Sequence, residues 1–302
     1  MLLMKLNYIK VKNYIIPIYY KNNKSDTTFL FLHGINSSSD FCLPIAQKNQ
    51  KYNIVAINFP GNKYFENVSP ENITLEWWTE AAQAVLKEIK SKKIVVVAHS
   101  MGGGVALNIG KDKRIKRLIM VATIHPFMVI NNGYSILQKV IKPISTTHKL
   151  IGETISKISS KFKKTQRLSE SFSREGNWYN LLEKYILNDE YMKKLKVQYE
   201  ELKDKIIFVV GENDPIVGTK SLMDFANQID TFVTIIGKSH SPIKDDPQKF
   251  AYLFDSLEKP EKKKIWTKVV TFEKKVKNFE SRVIRINKYK NYENLEENNY
   301  EL

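Results

Sequence analysis

The stretch from Lys93 to Ile109 constrains the fold of this chain more than any other. It opens on the β-branched run Ile94–Val97, which predicts a buried strand. It closes on Val105–Ile109, which predicts a helix. Between them lies Ala98-His99-Ser100-Met101-Gly102, one residue away from the pattern G-x-S-x-G. That pattern places a serine at a sharp strand-to-helix turn, with its hydroxyl raised above the sheet. The turn is crowded and accepts only small residues two positions either side, here Ala98 and Gly102. The helix that follows presents backbone N–H groups and a positive dipole end to a developing anion. The short pattern by itself is weak, and its setting of strand, small residues and helix is what gives it force.

The flanking chain supplies a matching framework. Tyr8–Val11 and Tyr14–Tyr20 read as a hairpin, and Thr27–Leu32, Tyr52–Phe59 and Ile115–Ala122 as further strands. Phe41–Asn49 and Leu75–Lys90 read as helices, the second with Trp77, Ala81, Ala84, Val85 and Ile89 at helical spacing and with Ser69–Asn72 as its cap. Strands alternating with helices predict an α/β fold, a doubly wound and mostly parallel sheet. Ligands of such sheets bind at the carboxyl ends of the strands, where His33, Pro60-Gly61, Ser100 and Thr123 all fall. The alternation stops at Pro126. From 126 to 203 only helical patterns occur (Ile136–Val140, Leu150–Ile158, Leu181–Ile186, Tyr191–Leu202), as expected of an inserted helical lid. Strands resume at Lys205–Val210 and Thr231–Ile236, separated by a helix at Ser221–Gln228 and followed by one from Pro247 to Leu257. The expected organisation is a core of residues 1–125 and 204–258, a lid of 126–203 and a basic C-terminal extension of 259–302, helical from Glu261 to about Lys290.

Composition narrows the class. The 302 residues, 42% of them hydrophobic and 26% charged, suffice for one large or two small domains of a globular protein. A single cysteine, Cys42, excludes an intrachain disulfide. No signal-peptide pattern opens the chain, and no apolar run reaches bilayer-spanning length, so a cytoplasmic location is expected. The net charge of +16, from 48 Lys+Arg against 32 Asp+Glu, has two readings. The preferred one is compositional bias, since the excess is mostly Lys in a chain rich in Asn, Ile and Tyr. The other is attraction to anionic lipid, nucleic acid or anionic substrates. No nucleic-acid motif is present, and no nucleic-acid partner is expected.

Four segments together resemble the α/β-hydrolase superfamily, and within it the esterase/lipase-like members with a helical lid: Leu32–Ile35, Ala98–Gly103, Gly211–Val217 and Ser239–Pro242. The resemblance runs from Thr27 to about Leu257 and implies Ser100 as nucleophile, Asp214 as triad acid and His240 as base, in the order of that family. Residue chemistry agrees, because a serine hydroxyl needs an adjacent base and a histidine needs a carboxylate to fix its tautomer. Among the other histidines, His99 is expected to be structural, His33 to organise its turn, His125 to reach the pocket and His148 to lie in the lid. For the acid, Glu212 comes too early in its turn and Asp245 follows the base. The resemblance further implies an oxyanion hole from the backbone N–H groups of Ile35 and Met101. His33, His125, Phe127 and Trp178 are expected to line the substrate pocket. Two departures from the family stand out: Ala98 replaces the first elbow glycine, and Asn58-Phe59-Pro60-Gly61-Asn62-Lys63 replaces an Asp-x-Pro-Gly-His-Gly run.

The expected activity is hydrolysis of carboxylic esters of small molecules or lipids through an acyl-enzyme. The alternatives are an aminopeptidase or other amide hydrolase of the same fold, and a non-catalytic binding protein built on it. Neither a metal nor a cofactor is expected: Gly102-Gly103-Gly104 lacks the Gly-Lys-Ser/Thr of a phosphate loop, and no Cys/His cluster is present. Lys157, Lys161, Lys163, Lys164 and Arg167 in the lid, with the basic extension, raise the further expectation of peripheral contact with an anionic membrane.

Overall fold

A computed structural model describes residues 6–11, 13–47, 51–65, 68–141, 172, 176–258 and 283–285. Its centre is one sheet of order β1-β2-β4-β3-β5-β6-β7-β8-β9. The strands are β1 (Leu6–Val11), β2 (Tyr14–Lys21), β3 (Thr27–Leu32), β4 (Asn53–Ile57), β5 (Lys93–His99), β6 (Ile115–Val121), β7 (Ile206–Val210), β8 (Phe232–Ile235) and β9 (Val283–Arg285). The β1–β2 hairpin and the β2–β4 pair are antiparallel, and every other neighbouring pair is parallel.

Successive side chains of a strand point to opposite faces, and both faces here are covered. Leu30, Leu32, Val96 and Ala98 enter one core, beneath α2 (Leu75–Glu88), α3 (Gly102–Ile109), α5 (Asp189–Leu202) and α6 (Thr219–Gln228). Phe29, Phe31, Val95 and Val97 enter the other, beneath α1 (Leu43–Ala46), α7 (Pro242–Asp245) and α8 (Pro247–Glu258). The central strands therefore carry unbroken apolar runs, Phe29–Leu32 in β3, Ile94–Ala98 in β5 and Ile206–Val210 in β7, rather than alternating ones. Among the described residues no helix is long and apolar enough to cross a membrane.

The structure revises several local expectations. Of the helix expected at Phe41–Asn49, the described part is a 3₁₀ turn, Ser39–Cys42, running into the short α1 with Pro44 in its first turn. The cap of α2 is Thr74, whose hydroxyl accepts the Trp77 N–H, and Pro70–Asn72 forms a separate turn. Trp78 rather than Trp77 enters the core of α2; it stacks on Phe59 at 4.6 Å and donates its indole N–H to the Pro60 carbonyl. In the expected lid, the described elements are a turn at Pro126–Ile130, α4 (Asn132–Ile141), a turn at Tyr179–Leu181 leading into a π-helical turn at Leu182–Ile186, and α5. Tyr199 ties α5 to the end of β6, donating its hydroxyl to the Ile124 carbonyl at 2.7 Å. The extension was expected to be helical from Glu261 to Lys290; its described residues, Val283–Arg285, form a strand paired with β8. The helix expected at Leu150–Ile158, the basic lid cluster Lys157–Arg167 and His148 lie outside the described residues.

Candidate active site

The parallel strands all point one way, so the segments after β3, β5, β7 and β8 emerge along one edge of the sheet. Those segments carry Gly34-Ile35, Ser100, Asp214 and His240. Ser100 sits where β5 turns into α3, with φ of 52°. This left-handed conformation strains a residue with a side chain by about 1–3 kcal/mol and persists only where the surroundings enforce it. The enforcement is local: the Ser100 N–H donates to the Val121 carbonyl at 3.1 Å, and the Gly103 N–H donates to the Ser100 carbonyl at 3.0 Å. Close packing does the rest. A Cβ on Gly102 would lie 2.5 Å from the Leu32 carbonyl oxygen, and one on Gly34 would lie 2.7 Å from Ser100 Cβ and 3.3 Å from Met101 N. The turn after β3 thus lies directly against the Ser100 turn, with Gly34 beside Ser100 and the Met101 backbone N.

The turns that bear Asp214 and His240 are joined through their backbones. The N–H groups of Glu212 and Asn213 donate to the carbonyls of Gly237 and Lys238 at 3.0 and 2.9 Å. Across this junction His240 Nδ1 meets Asp214 Oδ2 at 2.8 Å. The second oxygen, Oδ1, accepts the N–H groups of Ile216 and Val217 at 2.8 and 3.1 Å. Burial of Asp214 would raise its pKa. The hydrogen bond and charge of His240, together with the two N–H donors, outweigh burial and hold it below the ordinary carboxylate value. A carboxylate kept ionised on Nδ1–H leaves Nε2 as the free lone pair of the neutral ring. Ser100 Oγ makes no hydrogen bond among the described residues. Nucleophile–base contacts are commonly loose before substrate arrives and tighten in the reacting complex.

The residues expected to line the pocket divide. His33 is fully buried: the Phe59 N–H and Asn62 Nδ2 donate to its Nε2 at 2.9 and 2.8 Å, and its Nδ1–H donates to the Gly34 carbonyl at 2.7 Å. His125 is fully buried, stacks on Phe225 and donates Nε2–H to the Val217 carbonyl at 2.9 Å, bracing the acid turn. Trp178 is buried edge-on against Trp78, at 6.2 Å between centroids. Phe127 remains partly exposed, packed against Phe225. Three of the four therefore serve hydrogen bonding and core packing. A cleft of about 450 Å³ does open beside the acid turn, lined by Glu212, Thr219, Lys220 and Met223 among others; neither Ser100 nor His240 borders it.

Sequence reasoning missed the groups that hold these turns. Asn58 Oδ1 accepts the Ser39 N–H at 2.9 Å, and Asn62 Nδ2 reaches the same oxygen at 3.3 Å. The Asn58–Lys63 run noted as a departure from the family thus lashes the His33-Gly34 turn through the His33 ring. Asp245 accepts the N–H groups of Lys238 and Ser239 at 2.9 and 2.6 Å, and the Ser239 hydroxyl at 3.0 Å, pinning the turn that bears the base. Two Asn four residues apart beside Pro-Gly, and an Asp five residues after His240, were the available signals. Among the described residues no three His, Cys, Asp or Glu side chains cluster as metal ligands.

Comparison with known proteins agrees with this fold. The family model described as "alpha/beta hydrolase fold" matches residues 27–140. This chain has the α/β-hydrolase fold. A curated relative from Mycoplasma genitalium, named "Putative esterase/lipase 2", is 28% identical over 255 residues, covering 81% of this chain and 94% of that protein. Among solved structures, the thioesterase domain from the curacin biosynthetic pathway superposes with a TM-score of 0.60 at 15% identity, over 84% of this chain and 99% of that one. An esterase from Exiguobacterium antarcticum gives 0.57 at 15% identity, over 84% and 99%. At such identities the structural likeness speaks for the α/β-hydrolase fold alone, and function has to be argued from the site.

Proposed function

We propose that the chain is a serine hydrolase of carboxylic esters, with Ser100 as nucleophile, His240 as general base and Asp214 as the acid that orients it. The observation that carries this reading is the 2.8 Å His240–Asp214 pair, whose carboxylate side chain has no solvent exposure. It lies on the sheet edge that bears a strained, small-flanked serine. A buried charge is tolerated only where it is paired, and here the pairing prepares an imidazole to accept a proton. In this mechanism Ser100 Oγ attacks the ester carbonyl as its proton passes to His240 Nε2. Asp214 stabilises the imidazolium, and the Ile35 and Met101 N–H groups receive the oxyanion, each worth on the order of 3 kcal/mol of barrier. The alcohol leaves with the proton from His240, and a water activated by the same base hydrolyses the acyl-enzyme.

Ester rather than amide chemistry is favoured by the name of the Mycoplasma genitalium relative, which spans most of both chains. In this reading residues 126–203 form a lid over the serine, with Phe127 near the pocket mouth. Peripheral contact with an anionic membrane would rest on the basic lid cluster and the extension. The test is hydrolysis of p-nitrophenyl esters of increasing acyl length by the wild type and by Ser100→Ala. Turnover by the wild type that is lost in Ser100→Ala supports the proposal. Turnover of amides alone would favour the peptidase reading, and a wild type inert on both panels would favour a binding protein.

A further inference from the structure

The triad above does not use His99, yet this residue links the strand end that bears Ser100 directly to the His240 main chain. It is the last residue of β5 and the covalent neighbour of Ser100. Its Nε2 lies 2.8 Å from the backbone carbonyl oxygen of His240, 141 positions further along the chain. A carbonyl oxygen only accepts, so Nε2 carries the proton and donates. The two imidazoles lie 5.0 Å apart between centroids, tilted by 52°. On its other side the His99 ring lies 6.0 Å from Phe41, which limits its rotation. Asp245 and Asn213 hold Lys238 and Ser239, the part of the turn before the base. His99 holds the residue that bears the base itself.

We propose that His99 is a positioning residue: through its Nε2–H bond to the His240 carbonyl it sets the reach of the base toward Ser100. The inference rests on the reading of Ser100, His240 and Asp214 as the catalytic triad. The bond links the base to the strand end from which the nucleophile projects, so any movement of the His240 main chain has to break it or drag β5. A nucleophile and base misaligned by about 1 Å lose on the order of 100-fold in rate. The charged and titratable groups near His99 are His240, Asp214 and Lys244. Burial and then repulsion from His240 drive its pKa down to about 3, so the ring stays neutral and keeps the donor tautomer across the working range.

The test compares His99→Leu, which removes the donor, with His99→Gln, whose amide can reach the same carbonyl, on p-nitrophenyl acetate well below each melting temperature. The expected result is a kcat lowered on the order of 10- to 100-fold in His99→Leu, with KM changed by less than about 2-fold. The rate of inactivation by a fluorophosphonate should fall in parallel, and His99→Gln should recover most of both. Should His99→Leu fail to fold, His99→Asn, whose shorter amide falls short of the carbonyl, replaces it with the same expectation. A purely structural role predicts a lower melting temperature with unchanged kcat, and that result overturns the proposal, as does equal loss in His99→Gln and His99→Leu. Ser100→Ala, run beside them, separates the two claims. Turnover that survives it defeats the triad reading, whereas turnover lost there but retained in His99→Leu defeats only the role of His99.

Discussion

Lowering the pH from 7 to 5 should destabilise this protein well before its carboxylates protonate, because His33 and His125 are fully buried, and His99 nearly so, as neutral rings. Burial, partly offset by the Gly34 carbonyl, brings His33 down to about 4. Burial, partly offset by the Val217 carbonyl, does the same for His125, and burial with repulsion from His240 takes His99 to about 3. In the unfolded chain each titrates near 6.5. Below that value the unfolded state binds protons that the folded state refuses, so stability is complete above about pH 6.5 and falls as pH drops toward the folded values. Between pH 7 and pH 5 the linkage amounts to about 2 kcal/mol for each ring, hence about 6 kcal/mol together. The figure hardly depends on the folded pKa values, provided the rings stay neutral at pH 5. It is comparable to the whole stability of many domains. Urea unfolding at pH 7, 6 and 5, followed by far-UV circular dichroism, measures it. Nitrogen NMR of the rings at pH 5 should show His99 and His125 protonated on Nε2 and His33 on Nδ1. A stability that is flat from pH 7 to pH 5, or a ring among the three that titrates near 6.5, would refute the reasoning.

Three substitutions test the site itself. Gly102→Ala forces a methyl group against the Leu32 and His33 carbonyls, backbone that cannot step aside; it should lose about 3 kcal/mol, read as a clear drop in thermal midpoint, and an unchanged midpoint would contradict the packing of α3. Asp214→Asn keeps the size but not the charge opposite His240 Nδ1, and kcat should fall by about 10³- to 10⁴-fold with the fold intact by circular dichroism. Asn62→Ala removes donors to His33 and Asn58 and the acceptor of the Tyr64 N–H. It should cost about 1–3 kcal/mol in urea unfolding and lower kcat through the Ile35 turn; a neutral result on both would remove Asn62 as a brace.

The sheet was legible because β3, β5 and β7 are apolar runs closed by turn residues, and their order leaves few topologies open. Ser100 stood out because it directly follows β5, and Asp214 and His240 because they lie in the loops just past β7 and β8. What holds them was not. Asn58, Asn62 and Asp245 act through contacts across loops, where neither periodicity nor propensity carries information. Trp77 fits the helical spacing while Trp78 enters the core because α2 is apolar on two adjacent faces: Trp77 packs on Tyr14 and Phe65, and Trp78 on Phe59. Trp178 was expected at the pocket because an aromatic in a lid looks the same in sequence whether it meets substrate or core. Val283–Arg285 is too short for a pattern of two to stand out from a helical one, and its strand character comes from pairing with β8.

The central claim is that Ser100 carries the acyl group. The most direct measurement is to quench turnover of a p-nitrophenyl ester in acid, weigh the intact protein and map the added mass by peptide fragmentation. An adduct of one acyl group, confined to the peptide containing Ser100 and absent from Ser100→Ala, is the predicted result. Turnover with no covalent adduct, or with the acyl group on another residue, would contradict the account.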